Sequence, residues 1–384
     1  MARLGDIATV ITKGTTPTSI GFNFQNDGIN FVKIESVDEN GSFICEKFDH
    51  ISDECHEKLK RSQLQENDIL FSIAGAIGRT AIVTKDILPA NTNQALAIIR
   101  IPQGVVNYSF LLYILQSSAV LDQAEKKKQG VAQLNLSLKD IGDFIIPDIP
   151  LEEQQCIVDS LDKVSNLISL RKQQLSKLDE LVKSRFIELF DDDVPTVKLG
   201  DVCRMINGDR GKNYPSGDDF VEDGIPFVNA GHLQNRKVDF SDMNYITEEK
   251  FNLLSQGKMQ EGDILYCLRG SLGKHGLVDF KRGAVASSLV ILRCNQERIL
   301  PEFLLYALET SEIELQLKAA NNGSSQPNLS AASVKAYDIK LPAIEQQTEF
   351  VAFVEQTDKS KFEIERSLEK LEMLKKALMQ KYFE

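Results

Sequence analysis

Histidines, cysteines and clustered carboxylates most often carry catalysis, and in this chain they are scattered. The four histidines (His50, His56, His232, His275) form no Ser/His/Asp or metal-ligand spacing. The six cysteines (Cys45, Cys55, Cys156, Cys203, Cys267, Cys294) include no CxxC and no Cys/His pairing, so they read as buried free thiols. Pro147-Asp148 with Glu152 and Glu153 resembles a nuclease carboxylate cluster only faintly, because no lysine follows at the required place; the stretch reads better as a helix entry. There is no G-x-x-x-x-G-K-S/T phosphate loop, no strand-linked G-x-G-x-x-G, no H-E-x-x-H and no Asn/Asp-Pro-Pro-aromatic signature of amino-methyltransferases. These absences argue against an enzyme and imply neither a cofactor nor a metal.

What remains is the chemistry of non-covalent binding, carried by cations and amides on glycine-rich turns. Lys13-Gly14-Thr15-Thr16-Pro17 has a counterpart in Asn207-Gly208-Asp209-Arg210-Gly211-Lys212-Asn213-Tyr214. Gly75-Ala76-Ile77-Gly78-Arg79 is matched by Arg269-Gly270-Ser271-Leu272-Gly273-Lys274, and Asn91-Thr92-Asn93-Gln94 by Ala286-Ser287-Ser288. Phe31-Val32-Lys33-Ile34-Glu35-Ser36 and Phe227-Val228-Asn229-Ala230-Gly231-His232 share an apolar start and then diverge in hydrogen-bonding groups.

Such pairing follows from an internal repeat of about 190 residues. Leu4-Gly5-Asp6-Ile7 is answered by Leu199-Gly200-Asp201-Val202, and Gly28-Ile29-Asn30-Phe31-Val32 by Gly224-Ile225-Pro226-Phe227-Val228, at offsets of 195 and 196. Glu66 to Phe71 then matches Glu261 to Tyr266, Phe110 to Tyr113 matches Phe303 to Tyr306, and Gln133 to Ser137 matches Gln326 to Ser330. The series closes with Pro150-Leu151-Glu152-Glu153-Gln154-Gln155 against Pro342-Ala343-Ile344-Glu345-Gln346-Gln347. An ordered set at nearly constant offset means duplication and pseudo-symmetry rather than a solenoid.

Each copy must therefore supply its own scaffold. Short β-type runs (Phe31-Val32-Lys33-Ile34, Asp68 to Ile73, Ala95 to Ile99) alternate with turn residues over the first ~100 residues. Helices are expected at about 109–124 and 301–319, which makes each module α+β. After Pro150, apolar residues recur at Ile157, Leu161, Val164, Ile168, Leu175, Leu178 and Val182, with a gap at Arg171. The second copy repeats the grid at Phe350, Val354, Thr357, Ile364, Leu368, Leu371 and Leu378. This spacing is a coiled-coil seam, and ~37 helical residues rise about 55 Å. The economical arrangement pairs the two helices antiparallel, with a globular module near each end.

At 384 residues the chain suits two domains. Charged residues at 26% with plentiful aliphatics suit a folded protein, and no apolar run reaches the ~18 residues of a membrane span. The start lacks a signal peptide's apolar core, so a cytoplasmic location is expected. A net charge of -12 argues against phosphate binding unless the chain works inside an assembly whose other subunits grip the backbone.

A duplicated α+β module, each copy closed by a Pro-x-x-Glu-Gln-Gln helix entry and a long heptad helix, resembles the specificity subunits of type I restriction-modification systems over essentially the whole chain. The resemblance implies target recognition domains at 1–149 and 191–341 and spacer helices at 150–190 and 342–384. It also implies a non-catalytic subunit that binds a bipartite, asymmetric site on double-stranded DNA. Its partners would be two adenine-N6 methyltransferase (modification) subunits and, in the full complex, restriction subunits.

On that view, positions that differ between the copies are candidates for reading bases. Lys33, Ser36, Asn229 and His232 are preferred, since Lys and Asn donate to guanine and adenine edges. Lys13, Thr15, Thr16, Arg210, Lys212 and Asn213 form a second set, where glycine lets the backbone approach phosphate, and Arg236 is a further DNA-binding candidate. Arg79, Arg269 and Lys274 recur in both copies and suit phosphate positioning or a structural turn. Asn91, Asn93 and Gln94 offer amides to adenine, with plain turn chemistry the alternative.

Overall fold

The computed structural model describes residues 1–128, 135–190, 194–321 and 328–384. The repeat residues Gln133, Leu134, Gln326 and Pro327 lie outside these. Two units separate: residues 1–172 with 366–384, and residues 173–365.

In the first unit, a four-stranded sheet orders Val10–Lys13, Leu96–Arg100, Ile69–Ser72 and Thr80–Ile82, all antiparallel. The run Ile69–Ser72 is buried on both faces, as its continuous apolar sequence demands. A second sheet places Ile29–Val32 between antiparallel Asp49–Ile51 and parallel Ala90–Thr92. The second unit keeps both frames and enlarges them. Its first sheet runs Cys203–Asn207, Leu289–Cys294, Ile264–Cys267, His275–Leu277, then the added hairpin Arg236–Val238 and Leu233–Gln234. Its second sheet gains outer strands Phe220–Val221 and Lys258–Gln260.

A buried ion pair recurs at the same place in each frame. Asp68 is 1% exposed, accepts from the Gln65 N–H at 2.8 Å, and receives Arg100 at 2.6 and 2.7 Å. Asp263 accepts from Gln260 N–H at 2.8 Å and from Arg293 at 2.8 and 2.7 Å. The repeated Asp of the Asp-Ile-Leu motif thus ties a turn to the strand that crosses it, and two-pronged pairing with arginine fixes the geometry.

Each expected helix of the module is two helices, Tyr108–Gln116 and Ser118–Lys127 in one copy, Pro301–Ala307 and Ser311–Ala320 in the other. The break at Ser117 is stabilised by its hydroxyl, which donates back to Ile114 O at 2.6 Å, and Thr310 does the same to Ala307 O at 3.1 Å.

The long helices run Leu151–Phe190 and Ile344–Phe383. Within the first unit, Ile157 and Leu161 share a core with Phe383, and Lys172 pairs with Glu372 at 3.4 Å. Within the second, Phe186 and Phe190 pack on Phe350 with ring centres 5.3 and 5.7 Å apart, and Lys361 pairs with Asp179 at 2.6 Å. In both, rising numbers on one helix meet falling numbers on the other, which is antiparallel pairing.

The Glu-Gln-Gln entries have a specific task. Gln154 Oε1 accepts from Asn107 N–H at 2.8 Å, and its Nε2 donates to Ile149 O at 2.7 Å. Gln347, fully buried, accepts from Leu300 N–H and donates to Arg298 O and Pro342 O, each at 2.9 Å. One amide per copy therefore stitches the long helix to the start of the module's own helix and satisfies groups that helix ends leave open.

Cys55, Cys203 and Cys267 are buried free thiols, as the sequence leads one to expect, but Cys45 and Cys156 are exposed. Cys156 falls on the outer face of its helix, between the seam positions Gln154 and Ile157. No helix of the described residues is long and apolar enough to cross a membrane.

Candidate nucleic-acid interface

Both units cross two loops at one point, and a glycine makes the crossing possible. A Cβ on Gly14 would lie 1.8 Å from Thr92 O, and one on Gly208 would lie 2.5 Å from Ala286 O, so no larger residue fits either place without backbone movement. In the first unit Thr15 N–H donates to Thr92 O at 3.1 Å, Thr16 Oγ1 donates to Gln94 Oε1, and Asn93 Oδ1 accepts from Ala95 N–H at 3.0 Å. Lys13, Thr15, Thr16, Asn93 and Gln94 are thereby brought to one place, with Lys13 and Gln94 exposed.

The second unit gathers Arg210, Lys212 and Asn213 at the matching place. Arg210 donates to Ser287 O at 3.3 Å, and Asn213 Nδ2 donates to Leu253 O at 2.8 Å. Underneath lies Asp209, 4% exposed, which the sequence reading passed over although Asn-Gly-Asp-x-Gly is turn chemistry. Its carboxylate accepts from Gly211 N–H at 2.8 Å, Ser255 N–H at 2.7 Å and Ser255 Oγ at 2.9 Å. These hydrogen bonds, the Gly211 N–H foremost, hold its carboxyl below the usual range.

The strand-end candidates are placed otherwise. Ser36, fully buried, accepts from Lys33 N–H at 3.3 Å and donates to Lys47 O at 3.0 Å. His232, 7% exposed, accepts through Nδ1 from Asn229 N–H at 3.1 Å, which leaves Nε2 as the donor to Asp242 O at 2.9 Å. Asn229 Oδ1 accepts from Gly231 N–H at 2.7 Å. Lys33 pairs with Asp49 and stands 4.6 Å over the Phe24 ring. The two strand ends thus close the same short turn with different side chains.

Asn91 is fully buried, with Nδ2 donating to Leu59 O and Ser62 Oγ, both at 3.1 Å, and Oδ1 against His56 Nδ1. Arg79 donates to Val37 O at 3.2 Å. Arg269 is exposed, and its Nε donates to Asn328 Oδ1 at 3.3 Å. Lys274 is half-buried and follows Gly273, whose φ of 78° is shared by Gly270 and mirrored by Gly75 and Gly78 at 70° and 97°. Arg236 sits in the left-handed region itself, φ 61°, and grips Glu309 at 2.8 and 3.1 Å while lying 4.4 Å over Tyr306. It works as a strut that holds the added hairpin to the module helix. Among the described residues no group of three or more His, Cys, Asp or Glu is arranged to hold a metal.

Comparison with known proteins gives this geometry its setting. The family model for the type I restriction modification DNA specificity domain matches twice, over residues 1–180 and 191–375. The chain is 22% identical over 413 aligned positions to the type I restriction enzyme EcoBI specificity subunit of Escherichia coli, covering 98% of this chain and 84% of that one. It is 25% identical over 402 positions to the putative type I restriction enzyme MjaX specificity subunit of Methanocaldococcus jannaschii, covering 98% and 90%. A solved chain from work on complex assembly and conformational transition of the type I R-M system shares the fold, with a TM-score of 0.62 at 20% identity over 99% of this chain and 96% of that one. With two matched domains spanning nearly all of its length, the chain belongs to the type I restriction-modification DNA specificity family.

Proposed function

We propose that residues 1–149 and 191–341 are two target recognition domains, each reading one half of a split, asymmetric DNA sequence, and that 150–190 and 342–384 are the spacer helices. The chain recruits two adenine-N6 methyltransferase subunits and, in the full complex, restriction subunits, working in the cytoplasm and leaving the chemistry to them. The observation that carries this reading is the loop crossing, built on the same glycine in both units but furnished with different polar groups. Lys13, Thr15, Thr16, Asn93 and Gln94 face the reader's target in one copy, and Arg210, Lys212 and Asn213 in the other. Arg269, Lys274 and Arg79 serve the backbone, while the buried Asn91, Ser36 and His232 hold the frame from within. The net charge of -12 fits a division in which the partner subunits supply much of the phosphate grip.

The test is a domain exchange in the complex purified with its methyltransferase subunits. Replacing residues 1–149 by those of a relative is expected to change one half of the methylated sequence and leave the other. A change in both halves, or in neither, overturns the two-reader scheme.

A further inference from the structure

The first unit carries three exposed cations on adjoining elements with no ion-pair partner among the described residues. The short turn Lys60–Ser62 packs against the strand Val10–Lys13, so Lys60 and Arg61 lie beside the strand that ends in Lys13 and leads to the Gly14 crossing. All three are exposed. None lies within ion-pair distance of a carboxylate among the described residues, whereas nearby Lys58 is taken up by Glu54 at 3.3 Å. In a chain with twelve more acidic than basic residues, unpaired cations on two adjoining elements are a charge pattern suited to an anion.

The turn is also held rigidly. Asn91, buried beneath it, donates to Leu59 O on one side of the cation pair and to Ser62 Oγ on the other, and Ser62 itself is 1% exposed. Asn91 belongs to the strand whose Thr92 O receives Thr15 N–H, so one short strand fixes both the turn and the crossing loop. The second unit has Ser255-Gln256-Gly257 where the first has Lys60-Arg61-Ser62, and there Ser255 serves Asp209 instead. Its cations stand on the crossing loop, as Arg210 and Lys212.

We propose that Lys60 and Arg61, with Lys13, form a backbone clamp of the first unit that holds DNA phosphates while the adjacent Thr15, Thr16 and Gln94 read bases. The proposal rests on the DNA-reading function given above. It assigns Lys60 and Arg61 as positioning residues that carry no sequence information, and it gives the two units phosphate grips built from different elements.

The experiment measures binding of the complex with its methyltransferase subunits to a duplex carrying the sequence it methylates, over a range of salt. K60A/R61A is expected to lower the slope of log K against log salt by about two and to weaken binding on the order of tenfold at physiological salt, with the methylated sequence unchanged. K60R/R61K is expected to keep the wild-type slope, since charge alone is required. An unchanged slope in K60A/R61A, or an altered methylated sequence, overturns the clamp. Failure of the unmodified complex to bind or methylate any specific site is a different result, which removes the DNA-reading function itself.

Discussion

Asp209 is a carboxylate placed to shape a loop rather than to meet a ligand, with three donors around it inside the second unit. Asp209→Ala is expected to cost about 1–3 kcal/mol, because the donors lose a charged acceptor in a site with little water; chemical denaturation of the purified chain measures it. The pH dependence has a fixed sign. Its pKa is lower folded than unfolded, so the stabilisation is complete above the ordinary carboxylate value of about 4 and is lost as pH falls toward the folded value. The acid limb of the stability profile is expected to flatten in Asp209→Ala. Divergence between the copies was legible at this scale, but its meaning was not. Ser36 and His232 differ because each bonds a different carbonyl, Lys47 O or Asp242 O, beneath its own turn. Interiors co-vary in pairs just as readers do, and only burial separates the two cases.

The long helices show the same division at the scale of elements. Their apolar grid was readable because packing requires it every 3.5 residues. Arg171 shows in the sequence only as a gap in the grid, and Lys361 and Lys375, which fall on the same grid, were not readable as seam residues, since a charge breaks the apolar pattern. Lys361 is compensated by Asp179, but Lys375 stands half-buried over the Tyr113 ring at 5.8 Å. Burial lowers its pKa, with repulsion from Lys172 adding to the effect. The unfolded chain then binds more protons than the folded one, so this position makes stability rise with pH between the folded value and the usual ~10.4. Lys375→Leu is expected to stabilise the first unit by about 1–2 kcal/mol near neutral pH and to remove that rise; thermal melts across pH check both. The glutamine stitches predict the opposite sign. Gln347→Ala strands a buried N–H and two carbonyls, and is expected to cost about 2–4 kcal/mol by denaturant titration. The Glu-Gln-Gln motif marks this anchor in the sequence, although its distant partners, Leu300 and Arg298 at 47 and 49 residues away, could not be named from it.

At the scale of the whole molecule, duplication and fold class were legible because collinear matches survive even where side chains diverge. What sequence order concealed is that the first unit is not one unbroken stretch of chain, whereas the second is. Residues 366–384 belong with residues 1–172, and Phe383 stacks edge-on against Phe110 at 5.6 Å in that unit's core. Removal of residues 366–384 is therefore expected to lower the melting temperature of the first unit while sparing the second, and hydrogen exchange resolved by peptide distinguishes the two. Domains made on a ribosome ordinarily finish in the order in which they are translated. Here the order inverts: the second unit has all of its residues once position 365 has emerged, whereas the module synthesised before it waits for residues 366–384 to close its core.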